Sequence, residues 1–180
     1  MAADDIQDLR DGLSIIATRA EALTRFMASY ARLARLPQPA LAPLRVHEWV
    51  ERVARLETRL SVEMQPGPDL TIEADGDQLD QLLINLVDNA TDAALEASGT
   101  VRIGWRLRAG WLEVTVEDDG PGLSDLGNLF VPFFSTKAHG SGIGLVLSRQ
   151  IAEAHGGSII LRNRAHQVGC EALLRLPTSA

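Results

Sequence analysis

The chain has 180 residues, 46% of them hydrophobic and 23% charged, with a formal net charge of −7. This composition excludes wholesale disorder and argues against a broad nucleic-acid-binding face, which is usually basic. The lone Cys170 excludes an intramolecular disulfide, and no apolar run approaches the roughly 20 residues of a membrane span, so a cytoplasmic chain is expected, whether or not a longer parent protein is membrane-anchored.

Residues 4–36 are predicted to form a long helix. Ile6, Leu9, Leu13, Ile16, Ala20, Leu23, Met27, Tyr30 and Ala34 follow alternating steps of three and four, a heptad seam. Asp4, Asp5, Asp8 and Asp11 crowd its start, and Arg25, Arg32 and Arg35 lie toward its end, which complements the helix dipole. A seam of this length predicts packing against a second copy; the plainer reading is a helix that caps the next domain. Pro37-Gln38-Pro39 stops the helix, so residues 37–43 read as a stiff linker and 44–180 as the main domain.

Within that domain, Val46–Glu57 suits a short amphipathic helix, and Arg59–Gln65 and Leu70–Ala74 suit strands around a Pro66-Gly67-Pro68 turn. Asp77–Ala97 is predicted helical, with Leu79, Leu82, Leu83, Leu86, Ala90 and Ala94 as its apolar stripe. Val101–Leu107 and Leu112–Val116 alternate apolar and polar residues as a hairpin, whose outward Arg and Glu residues read as cross-strand partners. Gly142–His155 suits another core helix, followed by strands near Ser158–Asn163 and Cys170–Leu176. Cys170 falls in the last strand pattern and reads as buried filler. The expected class is α/β: a two-layer sandwich of a mixed β-sheet with helices on one face, preceded by the long helix.

Three short patterns carry chemistry when taken together. Asn85 and Asn89 stand one helical turn apart, off the apolar stripe, and offer neutral oxygen ligands to a hard cation. Asp118-Asp119-Gly120-Pro121-Gly122 places a carboxylate beside a backbone that can approach a flat base closely. Gly140-Ser141-Gly142-Ile143-Gly144 opens an apolar helix whose first amides suit phosphate oxygens, with Ser141 as a cap or phosphate contact. Each pattern has an ordinary explanation by itself, such as a polar helix face or an Asp-Gly turn. Their order points to a magnesium-bound nucleotide.

These residues resemble the ATP-binding catalytic domain of sensor histidine kinases, in the superfamily shared with type II topoisomerases, the large heat-shock chaperone and the mismatch-repair ATPases. Residues 77–93 resemble its asparagine box and 118–122 its Asp-x-Gly-x-Gly box. Leu129 to Lys137 resembles the phenylalanine box, and Gly140 to Leu145 the second glycine box. The resemblance implies ATP and Mg2+ as cofactors, with Asp118 accepting from the adenine amino group and Asn89 and Asn85 as metal ligands. It implies further nucleotide contacts from Gly120, Gly122, Gly140, Ser141, Gly142, Gly144 and Leu145. Leu123–His139 becomes a lid anchored by Phe130, Phe133 and Phe134, with Lys137 reaching a phosphate; otherwise Lys137 is a solvated surface lysine. Asn85 stands where the superfamily's ATPases tend to carry a glutamate that activates water, and an amide has no suitable proton affinity. Asp119 is expected to face solvent. Asp92 has two readings: a carboxylate there repels phosphate unless a cation or water intervenes, and it otherwise belongs to a solvated helix face.

By the same resemblance, the helix of residues 4–36 corresponds to the second helix of a dimerisation hairpin. The helix bearing the phosphorylated histidine is missing, and no histidine precedes His47. His155 reads as a helix C-terminal residue, His166 as part of a turn and His139 as part of the lid. The implied reaction moves the γ-phosphoryl of Mg-ATP to a histidine on a separate segment, for relay to a response regulator. An ATPase or conformational switch, an anti-sigma-type serine kinase and a noncatalytic nucleotide-binding module stay open as alternatives.

Overall fold

Short apolar repeats set most of the elements in the computed structural model. It describes Arg10, Gly12, Leu13, Ile16, Ala17, Ala20, and residues 36–124, 127–135, 137 and 142–178. In chain order these form β1 (Ala42–Arg45), α1 (Val46–Leu56), β2 (Val62–Met64), β3 (Thr71–Ala74) and α2 (Gly76–Ala97). Then come β4 (Val101–Arg108), β5 (Trp111–Asp118), α3 (Gly144–Ala154), β6 (Ser158–Asn163) and β7 (Cys170–Pro177). Most of the predicted helix over residues 4–36 lies outside the described residues. Those described between residues 10 and 20 are helical, Leu36 is not, and Leu13 and Ile16 of the seam are exposed.

The main sheet has five strands in the order β2-β4-β5-β7-β6. β2 runs parallel to β4, and every other pairing is antiparallel, so the sheet is mixed as expected. Alternation along β4, β5 and β7 sends Ile103, Trp105, Val114, Val116, Leu174 and Leu176 to one face. There they meet the stripe of α2, whose Leu79, Leu82, Leu83, Leu86, Ala90 and Ala94 are all buried. On the other face, Arg106 pairs with Glu113 opposite it at 2.8 Å, the cross-strand role expected of these outer charges.

A separate two-stranded sheet joins β1 antiparallel to β3. The sequence pattern does not announce β1: Ala42 and Pro43, read as the linker's end, pair with Ala74 and Glu73. With a proline and largely exposed side chains, the strand has no amphipathic signature.

The start of α2 is fixed from three directions. Asp75 caps it by accepting from the Gln78 amide at 3.1 Å, and its other oxygen accepts from Ala40 N–H at 2.9 Å. The Asp75 amide donates to His155 Nε2 at 3.0 Å, while His155 Nδ1 lies 2.8 Å from the Ile151 carbonyl. His155 is the C-cap of α3, the helix C-terminal position expected of it. Both of its ring nitrogens face backbone groups. His155 thereby ties the end of α3 to the beginning of α2.

Candidate nucleotide site

Asn85 and Asn89 project from α2 beside its buried stripe, and both are half-buried. Asn85 Nδ2 lies 3.4 Å from both the Gly144 carbonyl and Ser148 Oγ, so its amide faces the first turn of α3. A Cβ at Gly144 would sit in ordinary contact with Asn85, 3.4 Å from its Oδ1. Asn89 faces Lys137, whose Nζ donates to Asn89 Oδ1 at 2.8 Å.

The same ammonium donates to Asp92 Oδ2 at 2.5 Å, and Asp92 Oδ1 accepts from Arg59 at 2.6 Å. Arg59 also meets Glu57 at 2.6 Å and Asp88 at 3.0 Å. Burial pushes the Asp92 carboxyl up, but Lys137 and Arg59 outweigh it and hold it below the ordinary range. The Arg59 guanidinium holds Glu57 at about 2. Asp92 is therefore the bridge between two cations, which favours the reading with an intervening cation over a solvated face. Lys137, read as reaching a phosphate or free in solvent, rests on two oxygen atoms of α2. Arg59 belongs to no sequence motif. Its one advance signal is the like-charged pair Asp88 and Asp92 at i and i+4, which is unfavourable without a counter-charge.

At the end of β5, Asp118 is buried, and burial pushes its carboxyl up. Its Oδ1 accepts from the Gly120 amide at 2.9 Å and the Cys170 amide at 3.2 Å. Oδ2 has no partner among the described residues. Gly120 has a different reason from the one expected. A Cβ there would fall 2.6 Å from Ala93 Cβ and 2.8 Å from its carbonyl carbon, so the glycine lets the turn close on α2 itself. Asp119 does not face solvent freely: it accepts from Thr100 Oγ1 at 2.6 Å and Arg102 at 2.6 Å, and it pairs with Arg164. Arg102 first, then Thr100 and Arg164, hold its carboxyl well below the usual range.

Helix α3 begins differently from α2. Its N-cap is Ile143, whose side chain makes no capping bond, so its first amides lack the side-chain partner that Asp75 gives α2. Leu145 packs partly buried against the core. Gly142 O accepts from Phe133 N–H at 2.9 Å, which joins the phenylalanine segment to the start of α3. Phe130 packs partly buried on the core beneath Arg149, while Phe133 and Phe134 are exposed, so one of the three expected anchors reaches the core. Gly140, Ser141 and His139 lie outside the described residues.

Residues 74–180 match the family described as histidine kinase-, DNA gyrase B- and HSP90-like ATPases. The chain belongs to this family. It is 32% identical to the sensor protein kinase PilS of Pseudomonas aeruginosa over 170 residues, 87% of this chain and 32% of PilS. It is 39% identical to the sensor protein FixL of Bradyrhizobium diazoefficiens over 111 residues, 59% of this chain and 22% of FixL. The chain thus spans about a third or less of the curated relatives it matches. Among solved structures, a nucleotide-free catalytic domain of the histidine kinase ThkA is similar with a TM-score of 0.66 and 29% identity, over 77% of this chain and 96% of that one. The mycobacterial sensor histidine kinase MprB is similar with a TM-score of 0.63 and 25% identity, over 78% of this chain and 99% of that one. The mixed sheet with helices on one face is thus the histidine kinase catalytic-domain fold. Among the described residues, no helix is long and apolar enough to cross a membrane.

Proposed function

We propose that this chain is the ATP-binding catalytic module of a two-component sensor histidine kinase, and that Mg-ATP occupies the space bounded by Asn85, Asn89, Lys137, Asp118 and the start of α3. The arrangement of Lys137 on Asn89 carries this reading. An amide oxygen and a nearby carboxylate already hold a cation there, and oxygen donors of this kind suit Mg2+. Asp118 supplies a carboxylate oxygen without a partner among the described residues for the adenine amino group, and the first amides of α3, which the Ile143 side chain does not cap, suit phosphate oxygens.

In this reading bound Mg2+ neutralises phosphate charge, and the chain's residues provide position. Asn89 is the first metal ligand and Asn85 the second, or a phosphate contact. Lys137 moves from Asp92 to a phosphate oxygen. Gly120 and Gly122 shape the base turn. Gly142, Gly144 and Leu145 line the phosphate end, and the nucleotide contacts expected of Gly140 and Ser141 fall outside the described residues. Asn85 touches the Gly144 carbonyl and Ser148 hydroxyl, neither a base able to activate water, which favours transfer to an acceptor over hydrolysis. The acceptor is a histidine on a separate helix, and a response regulator receives the phosphoryl group next. The division into residues 1–36, 37–43 and 44–180 belongs to this proposal, as does pairing of the first segment with a second copy.

Incubating the chain with radiolabelled ATP and Mg2+, alone and with a fragment bearing a kinase histidine helix, tests it. Label is expected only on the fragment, as an acid-labile, base-stable product. Steady release of inorganic phosphate without labelling would establish an ATPase instead, and labelled serine would establish a serine kinase.

A further inference from the structure

The turn that carries Asp118 is held from outside the helix layer by the β6–β7 hairpin, and the grip centres on Asn163. This exposed residue at the end of β6 reaches the backbone of Leu123, 40 positions earlier. Its Oδ1 accepts from Leu123 N–H at 2.6 Å, and its Nδ2 donates to Leu123 C=O at 3.0 Å. A carboxamide has the one donor and one acceptor that this pairing with a single residue's backbone requires. Aspartate lacks the donor and leucine lacks both. The absent side chain of Gly122 makes room, since a Cβ there would fall 2.9 Å from Asn163 Oδ1.

The next residue continues the grip. The Arg164 guanidinium, almost fully buried, donates to the Asp118 carbonyl at 3.3 Å, lies 3.3 Å from Glu117 and pairs with Asp119. The Arg164 amide donates to Gly169 O at 3.0 Å, closing the hairpin, and the following Cys170 amide donates to Asp118 Oδ1. The segment from Asp118 to Leu123 is thus fixed at both ends by residues 163–170, and only Oδ2 of the carboxylate is left without a described partner.

We infer that Asn163 is a positioning residue for base recognition: by pairing with Leu123 it sets the path of the Asp118–Leu123 turn and so aims the free oxygen of Asp118. Arg164 supports the same turn at its other end. This rests on the nucleotide reading given above and assigns that site a residue from outside its motifs. A local hydrogen-bond pair of this kind is worth about one order of magnitude in an equilibrium constant.

The test is a double-mutant cycle on the full chain, Asn163→Ala with Asp118→Asn, read by calorimetric titration with ATP and with GTP at a temperature where melting curves show each variant folded. Asn163→Ala is expected to weaken ATP roughly ten-fold and to lower the ATP-to-GTP affinity ratio. In the Asp118→Asn background it is expected to cost little more, because Asn163 acts through Asp118. Amide exchange at Leu123 is expected to accelerate while the Cys170 amide stays protected. Asn163→Asp, which keeps the acceptor but not the donor, provides a second variant and is expected to weaken ATP similarly. Wild-type ATP affinity in both Asn163 variants, or a loss additive with Asp118→Asn, overturns the inference. A wild-type chain that binds no ATP overturns the nucleotide reading instead.

Discussion

Lys137 and Asn89 are joined by a hydrogen bond of 2.8 Å between Nζ and the amide oxygen, across 48 positions of sequence. The lysine therefore occupies the same oxygen that the proposal gives to Mg2+, with Asp92 as its counter-ion. An ammonium and a divalent cation on one amide oxygen repel each other strongly, so loading the proposed site is expected to displace Lys137.

Asp92 is the residue on which that exchange turns. Asp92→Asn removes a carboxylate beside the proposed phosphate end and loosens Lys137. ATP affinity measured in chelator should rise about three- to ten-fold, because like-charge repulsion is removed. Unchanged or weaker metal-free binding would place the phosphates away from Asp92.

Asn89 and Asp118 should separate metal from base. Asn89→Ala is expected to abolish the gain in ATP affinity that Mg2+ provides, leaving metal-free binding in place. Asp118→Asn is expected to weaken ATP with and without metal. Paired titrations in Mg2+ and in chelator distinguish the two effects, and unaltered affinity in both variants would mean the site lies elsewhere.

Acid stability should report the Arg59 cluster. The Arg59 guanidinium depresses Glu57 from 4.5 to about 2 in the folded chain, and Asp119 is depressed as well. A carboxylate lowered on folding stabilises above its unfolded pKa, and that stability is lost as pH falls through the interval to the folded value. Urea midpoints should therefore be flat near neutrality and fall as pH drops below about 4.5. Arg59→Met should lower the midpoint at pH 6 and fall less steeply in acid. Parallel curves for the two proteins would show that Glu57 gains little from Arg59.

The contact between Gly120 and Ala93 predicts a stability effect. Gly120→Ala forces a methyl group into the α2 backbone and should cost about 1–3 kcal/mol, the range for overpacking, while weakening ATP. Gly76→Ala is a control, because a Cβ there meets only Leu44 at 3.6 Å. Equal melting temperatures for the two variants would contradict the close approach.

The N-terminal seam predicts self-association. Leu13 and Ile16 are exposed on their helix, and each buried Leu or Ile is worth about 1.5–3 kcal/mol. Leu13→Glu with Leu23→Glu should shift sedimentation from dimer to monomer and leave ATP binding intact. A wild-type chain that sediments as a monomer at high micromolar concentration would end the pairing proposal.

Periodic burial was what the sequence stated most openly. The stripe of α2 and the alternation of β4 and β5 each repeat with the geometry of their element, so a one-dimensional pattern suffices. β1 had no such repeat, because its position depends on pairing with β3 rather than on an amphipathic face. The site divides in the same way. Asn85, Asn89 and Asp118 announce themselves by residue type and spacing. Arg59, Asn163 and Arg164 act through partners 29 to 46 positions away, and no local spacing encodes such contacts. Asp119 was misread for the same reason: its partners Arg102 and Arg164 come from distant parts of the chain, not from its neighbours in sequence.

The strand order has a consequence for synthesis on the ribosome. β7 is translated after the other strands of the sheet, yet it lies between β5 and β6 and so completes the interior of the sheet rather than extending its edge. Until it emerges, β5 exposes a bare edge capable of pairing with another chain. Asp118 meanwhile lacks the bond from Cys170, and the β6–β7 hairpin does not yet exist to hold its turn. A nascent chain thus displays its asparagine helix long before the turn at Asp118 is held in place. Premature termination before residue 170 leaves a sheet with an open edge and an Asp118 carboxylate without its bond from the hairpin.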